Sequence, residues 1–112
     1  MIIEVKTAND SNFKQFVKDG LKKWNARYYA QVQAYMGMSY INSTYVIVLN
    51  KNNSDIWDER IEFDEDFYES LKIKAQTIYE AKSAPPRISK SPIWYQCKIC
   101  QYNKVCHVEQ LN

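Results

Sequence analysis

Long hydrophobic runs are missing from this chain of 112 residues. No apolar stretch approaches the roughly 20 residues that a helix needs to cross a bilayer, which excludes a membrane-spanning helix. The first residues also lack the basic, apolar and small-residue succession of a secretion signal. Internal repeats and low-complexity tracts are absent as well. We therefore expect a small cytoplasmic protein that has no membrane partner.

Glycine, proline and cysteine are scarce, and their positions divide the chain. The two glycines, Gly20 and Gly37, are each predicted to end a helix. All three prolines lie within residues 83–92, a stretch without apolar periodicity that predicts a tether. All three cysteines follow this stretch. We expect one α/β core over residues 1–83 and a tether with a cysteine module over residues 84–112.

The composition is that of a globular protein, with 46% apolar, 14% aromatic and 25% charged residues. A short strand is predicted at residues 2–6, and helical spacing predicts helices at 13–19 and from the N-cap Asn25 to Gly37. Residues 44–49 are predicted to form a central strand, and residues 57–63 a returning strand with one wet face. Asp64 is predicted to cap a long helix that ends near Lys82. Its predicted buried stripe consists of Phe67, Leu71, Ala75 and Ile78.

The net charge of +2 conceals an uneven distribution. Basic residues recur at fourth-residue spacing before residue 28, so a helical segment would carry them as one basic stripe for nucleic-acid phosphates. A solvated face is the alternative interpretation. Residues 55–69 are crowded with acids and would repel nucleic acid. The basic residues of the stripe are Lys14, Lys18, Lys22, Lys23 and Arg27.

Glu4 and Lys6 stand two apart on the first predicted strand and so face the same side. Metal-dependent nucleases need carboxylates for the cation and a positive charge near the attacking water or the phosphorane. Val5 faces the other way, but its backbone carbonyl is a candidate metal ligand. The alternative is an ordinary ion pair on a strand.

Gln31 and Tyr35 stand four apart on the second predicted helix and share a face, with Tyr28 one turn before them. Polar groups in such a row can hydrogen-bond a phosphate or orient a catalytic lysine. In the alternative interpretation the two tyrosines are core residues and Gln31 is merely exposed.

The three cysteines, Cys97, Cys100 and Cys106, are followed directly by His107. Cys-x-x-Cys is a common way to place two thiolates on one metal, and intracellular chains rarely use such cysteines in disulfides. Three thiolates need a fourth ligand. That ligand is either His107, which gives a zinc site, or a cysteine outside this chain, which gives an iron-sulfur cluster. Free core cysteines are the third interpretation.

The order of these motifs resembles the RecB-type nuclease domain of the PD-(D/E)xK superfamily. Glu-x-Lys on a strand, Gln-x-x-x-Tyr on a following helix, a hairpin, an acid-started helix and Cys-x2-Cys-x5-Cys are most similar to its iron-sulfur branch of AddB-type subunits and CRISPR-associated or phage exonucleases. The resemblance implies a restriction-endonuclease-like mixed sheet flanked by helices. It also implies Mg²⁺ or Mn²⁺ on Glu4 and the Val5 carbonyl, catalysis by Lys6 with Gln31 and Tyr35, and a 4Fe-4S cluster on the cysteines.

The family also has a metal-binding Asp, a His and a first cluster cysteine upstream of Glu-x-Lys, where this sequence has only residues 1–3. We therefore expect an N-terminally truncated nuclease domain whose active site and cluster are completed by a missing segment or a second chain. The expected function is part of a metal-dependent exonuclease acting on DNA ends. The alternatives are an inactive nuclease-like protein that binds or regulates a nuclease complex, and a small zinc-stabilised nucleic-acid binder.

Overall fold

The computed structural model describes residues 1–107 in two compact units, Met1–Gln76 and Thr77–Asn112, the second as far as residue 107. Secondary structure of the first unit follows the order β1 (Ile2–Ala8), α1 (Asp10–Asp19), α2 (Leu21–Trp24), α3 (Ala26–Ser39), β2 (Ser43–Asn50), β3 (Ile56–Glu62) and α4 (Glu65–Glu80), whose last residues belong to the second unit.

The three strands form one mixed sheet in the order β1-β2-β3. β1 and β2 run parallel, with Glu4 opposite Val46, and α1, α2 and α3 form the crossover between them. β3 returns antiparallel to β2 as a hairpin, with Glu59 opposite Val46. The predicted α/β class, a mixed sheet flanked by helices, is confirmed at this level.

The two faces of the sheet differ in burial. The inner face of β2 is fully buried by the crossover helices, and alternate residues along that strand are all buried. On the outer face Ile3 is 57%, Val5 62% and Ile56 63% exposed. The buried core consists of Ala8, Phe13, Phe16, Leu21, Tyr29, Val32, Met36, Val46, Val48 and Ile61.

Gly20 ends α1, as predicted, with a φ of 81° that an L side chain rarely adopts. Its backbone N–H donates to the carbonyl of Phe16, and the next N–H, that of Leu21, donates to Glu59 Oε1 at 2.8 Å. The glycine therefore lets the chain turn close to β3 and begin α2. α3 then begins at the predicted N-cap, because the Asn25 side chain accepts a hydrogen bond from the N–H of Tyr28.

Gly37 does not end α3, which continues to Ser39. The helix ends at Tyr40, whose φ of 58° lies in the left-handed region. A Cβ at Gly37 would overlap the ring of Tyr68 on α4. The glycine is therefore needed for a close approach of the two helices, which local sequence signals do not reveal.

α4 begins at the predicted cap, since Asp64 Oδ1 accepts from the N–H of Phe67 at 3.0 Å. The predicted buried stripe is wrong, because no residue of α4 is buried. Phe67 and Leu71 are half-buried, whereas Ala75 and Ile78 are exposed. The helix reaches the core through its first turns, where Phe67 packs edge-on against Tyr29 at 4.9 Å between ring centroids. Apolar spacing thus predicted the helix correctly but overstated its burial.

In the second unit, residues 81–94 contain neither helix nor strand. Two short helices follow, α5 (Tyr95–Lys98) and α6 (Asn103–Cys106). The Asn103 side chain donates to the carbonyls of Pro92 and Cys97, both at 2.8 Å. These two bonds connect the start of α6 to the residues before α5 and to α5 itself.

Candidate active site

Glu4 and Lys6 point from β1 toward the inner face of the sheet, where α3 partly covers them. Their side chains are 20% and 16% exposed, and Lys6 Nζ lies 3.2 Å from Glu4 Oε1. Both residues alternate with exposed neighbours because strand geometry sends successive side chains to opposite faces. The result is a partly buried ion pair beside a sheet edge.

α3 brings three polar or aromatic side chains onto this ion pair. Tyr28, Gln31 and Tyr35 occur at helical spacing and so lie along one face of the helix. Lys6 Nζ donates to Gln31 Oε1 at 2.7 Å, and Gln31 Nε2 donates to the Tyr35 hydroxyl oxygen at 2.9 Å. The Lys6 ammonium also lies 4.3 Å from the centroid of the Tyr28 ring. The structure therefore brings together the four side chains expected at the site from the sequence, those of Glu4, Lys6, Gln31 and Tyr35.

The geometry fixes both the position of the ammonium and the hydrogen-bond direction along α3. Glu4, Gln31 and the π face of Tyr28 contact Lys6 Nζ, which holds the amine near one place. Because Gln31 uses its amide oxygen on Lys6 and its amide NH₂ on Tyr35, the phenol hydrogen remains available to donate. Tyr35 is 38% exposed, so that hydrogen can reach solvent or a ligand.

Tyr28 is the member of this cluster that sequence reasoning did not assign to the site. Its ring contacts Lys6 on one side and packs edge-on against Trp24 on the other, 5.6 Å between centroids. Its half-burial is consistent with the core role that apolar spacing suggested. The available signal was its position, one turn before Gln31 on the same helical face.

Among the described residues, Glu4 is the one whose carboxylate forms an ion pair with Lys6. Val5 presents its side chain to the opposite face. Among residues 1–107, no three His, Cys, Asp or Glu side chains form a group that could hold a metal ion. Oxygen ligands are the right chemistry for Mg²⁺ or Mn²⁺, but one carboxylate already paired with a lysine does not form a complete cation site. The residues of one copy therefore do not fit the implied metal by themselves.

The predicted basic stripe is not one helix face, because Gly20 and Asn25 interrupt the helix. Its five residues lie on three helices, two on α1, two on α2 and one on α3, and all five are exposed. Lys14 pairs with Asp10 at 2.9 Å, and the Lys22 ammonium lies 5.2 Å from the centroid of the Tyr29 ring. The stripe was expected only if one helical segment carried all five residues, and that condition is not met; contact with nucleic acid stays a prediction.

The cysteine residues are all free thiols, and the structure does not bring them together as ligands. Cys97 is buried, whereas Cys100 and Cys106 are exposed. Cys100 Sγ accepts the N–H of Tyr102 at 3.4 Å. With His107 they have the donor types of a zinc or iron-sulfur site, yet no three of them converge within the described residues. His107 is 4% exposed, and neither ring nitrogen has a hydrogen-bond partner among residues 1–107.

No known protein family, curated protein or solved structure matches this chain. Within residues 1–107, no helix has both the length and the apolar character that crossing a membrane would require.

Proposed function

We propose that this chain supplies catalytic residues to a metal-dependent exonuclease that hydrolyses phosphodiester bonds at DNA ends, with a restriction-endonuclease-like core. One observation carries the proposal. Lys6 on β1 is hydrogen-bonded to Gln31 on α3, although 25 residues separate them, and Gln31 is in turn bonded to Tyr35. The resemblance to RecB-type nucleases rests on these residues, and the contacts among them support it.

In phosphodiester hydrolysis the role of Lys6 would be to hold its ammonium at a fixed position. Charge accumulates on the non-bridging oxygens in the transition state, and a cation fixed in advance stabilises it without reorganising at the moment of reaction. Gln31 holds the ammonium by its amide oxygen and is itself held by Tyr35, so the two residues position Lys6. The Tyr35 hydroxyl is exposed and keeps its hydrogen, so it would donate to a phosphate oxygen of the bound DNA.

A divalent cation would supply polarisation of the phosphate and of the attacking water. Glu4 is its candidate carboxylate ligand and Val5 its candidate carbonyl ligand. Because these are too few for a complete site, the remaining ligands have to come from outside the described residues of one copy. The proposal therefore assigns to this chain the ammonium, its positioning residues and one carboxylate.

The test is a nuclease assay on linear DNA with Mg²⁺ or Mn²⁺. We expect Glu4→Gln and Lys6→Met each to lower the rate by at least about a hundredfold, in the range of losses for single electrostatic groups in active sites. The matched controls are Glu69→Gln and Lys72→Met. Those two residues form an ion pair of the same 3.2 Å length on α4, but both side chains are at least half exposed. Equal losses in both pairs, or no loss at Lys6, would contradict the proposal.

The alternative is a non-catalytic protein that binds or regulates a nuclease complex. The Glu4–Lys6 ion pair favours it, since each charge is already neutralised by the other within the chain. Absence of DNA hydrolysis in every divalent cation, together with salt-dependent DNA binding, would support this alternative.

Cys97, Cys100 and Cys106 do not converge in the described structure, so we propose that a metal would draw them and a fourth ligand together. The burial of His107 favours zinc over a 4Fe-4S cluster. A buried imidazole without partners is costly unless its nitrogen binds something, and zinc accepts three thiolates and one imidazole. Metal analysis of purified protein should find one zinc per chain in a colourless preparation. A brown, oxygen-sensitive preparation would indicate the iron-sulfur cluster instead.

A further inference from the structure

β1 is an edge strand of the described sheet, with β2 on one side and no strand of residues 1–107 on the other. It is seven residues long and contains no proline, so its free edge can accept another strand. Two of its outer-face residues, Ile3 and Val5, are more than half exposed. An edge of this kind can pair with another chain where the charges on the two strands are complementary.

The charges on β1 are complementary to those on β1 of a second copy. Suppose two copies of β1 pair antiparallel with Val5 opposite Val5. Glu4 of each copy then faces Lys6 of the other, which gives two cross-strand pairs of opposite charge. A register shift of two residues places Glu4 opposite Glu4 or Lys6 opposite Lys6, which is unfavourable. The uncharged pairs are compatible too, since Ile3 falls opposite Thr7 and Ile2 opposite Ala8.

We propose that two copies of this chain dock antiparallel through β1, and that each contributes its Glu4 and Lys6 to the site of the other. The two three-stranded sheets then form one six-stranded sheet around a two-fold axis at Val5. On the inner face, carboxylates and ammonium groups alternate around this axis. On the outer face, the exposed Val5 side chains meet each other.

Pairing also supplies a second carboxylate to the candidate active site. In the antiparallel register the two Glu4 residues are diagonal neighbours, about 7–8 Å apart at the backbone. A divalent cation would find two carboxylates there in place of one. This consequence rests on the proposed nuclease function. The pairing itself rests only on the strand edge and its charges.

Disulfide trapping tests the register directly. In the proposed dimer the two copies of residue 5 face each other at about 4.5–5.5 Å between Cα atoms, within the range of a disulfide. Val5→Cys should therefore form a cross-linked dimer in mild diamide, and mass spectrometry of the linked peptide should locate the bond at position 5. The matched control is Ile3→Cys. Residue 3 is as exposed as residue 5, but its two copies would lie about 14 Å apart.

Charge exchange provides a second readout that does not depend on oxidation. Sedimentation equilibrium of the wild-type chain should give about twice 13.3 kDa. Glu4→Lys and Lys6→Glu should each weaken self-association at least about tenfold, because like charges then face each other. Mixed in equal amounts, the two variants should form a heterodimer, because the new ammonium at position 4 of one would face the new carboxylate at position 6 of the other. Circular dichroism confirms that each variant is folded.

The outcomes separate the two proposals. Equal cross-linking at positions 3 and 5, or a monomeric wild-type chain, would overturn the pairing. If that monomer degrades DNA, the proposed function stands without the pairing. Position-5 cross-linking with heterodimer formation, but without nuclease activity in any divalent cation, would support the pairing and overturn the function.

Discussion

Two glutamines of α3, Gln31 and Gln33, should respond differently to substitution by methionine. The change at Gln33 should lower the free energy of unfolding, whereas the change at Gln31 should lower the nuclease rate. Gln33 is fully buried, and its side chain bonds to two backbone groups at the junction of β3 and α4. Its Nε2 donates to the carbonyl of Glu62 at 3.0 Å, and its Oε1 accepts the N–H of Asp64 at 2.8 Å. Gln31 is half-buried, and the hydrogen bonds of its side chain within the described residues go to Lys6 and Tyr35 of the candidate site.

The magnitude for Gln33→Met follows from those two bonds. Methionine has a similar volume but cannot bond to either backbone group, so a partly buried N–H and a partly buried C=O lose their partner. A fully buried group costs about 1–3 kcal/mol, and partial burial puts each loss toward the lower end of that range, which gives roughly 2–3 kcal/mol for the pair. A small domain has a free energy of unfolding of about 5–15 kcal/mol, so this variant should lose a large fraction of its stability. Gln31→Met leaves no buried backbone group unpaired and should change stability by less than about 1 kcal/mol.

Urea denaturation followed by circular dichroism measures both changes, with Gln15→Met as a control for an exposed glutamine on α1. In the nuclease assay Gln31→Met should be at least about tenfold slower, because the ammonium of Lys6 loses one of its positioning hydrogen bonds. A loss of stability at Gln33 below about 1 kcal/mol would refute the energy assigned to its two hydrogen bonds. A larger loss at residue 31 than at residue 33 would refute the division of α3 into a site face and a structural face.

Three further predictions concern other parts of the first unit. Gly37→Ala should lower the free energy of unfolding by about 1–3 kcal/mol, because the alanine Cβ would overlap the ring of Tyr68. This loss outweighs the higher helix propensity of alanine. Tyr68→Ala in the same chain should recover part of the loss, as measured by urea denaturation. Burial, and then the nearby charge of Asp64, raise the pKa of Tyr29, so its contribution to stability is present below about pH 10 and lost as the pH rises through the folded pKa. Alkaline titration at 295 nm should show a late-ionising tyrosine that Tyr29→Phe removes, and an unchanged titration curve would contradict this. Three exposed lysines, Lys18, Lys22 and Lys23, are replaced together by alanine. The variant should bind DNA more weakly, and the slope of log affinity against log salt should fall by about 1 for each lysine that binds a phosphate. An unchanged slope would identify these lysines as a solvated surface.

Local signals predicted most of the secondary structure of this chain because the relevant interactions are themselves local. Asn25 and Asp64 accept hydrogen bonds from N–H groups three residues ahead, so their capping role is visible in the sequence. Gly20 adopts a backbone conformation that depends on its own lack of a side chain. Gly37 differs, because its reason is a ring on α4, about thirty residues later.

The candidate site was predictable in part for the same reason. Glu4 shares a strand face with Lys6, and Gln31 a helix face with Tyr35, so spacing alone grouped each pair. That the two pairs touch depends on the crossover that packs α3 against β1 and β2, which the motif order suggested and periodicity did not. The fourth-residue spacing of the basic residues was misleading because it continues across two helix boundaries. No spacing rule predicted that the ring of Tyr28 would lie against Lys6.

The parallel pairing of β1 with β2 has a consequence for the order of folding. Ile2 has its partner at Thr44, so β1 leaves the ribosome long before the strand that completes its hydrogen bonds. α3 and the β2–β3 hairpin involve near neighbours and close at low entropic cost, whereas β1 must close a loop of about forty residues. We expect β1 to dock last. The ammonium and carboxylate would then stay apart from α3 until the final step of folding, so the candidate site would be absent from a nascent or partly folded chain.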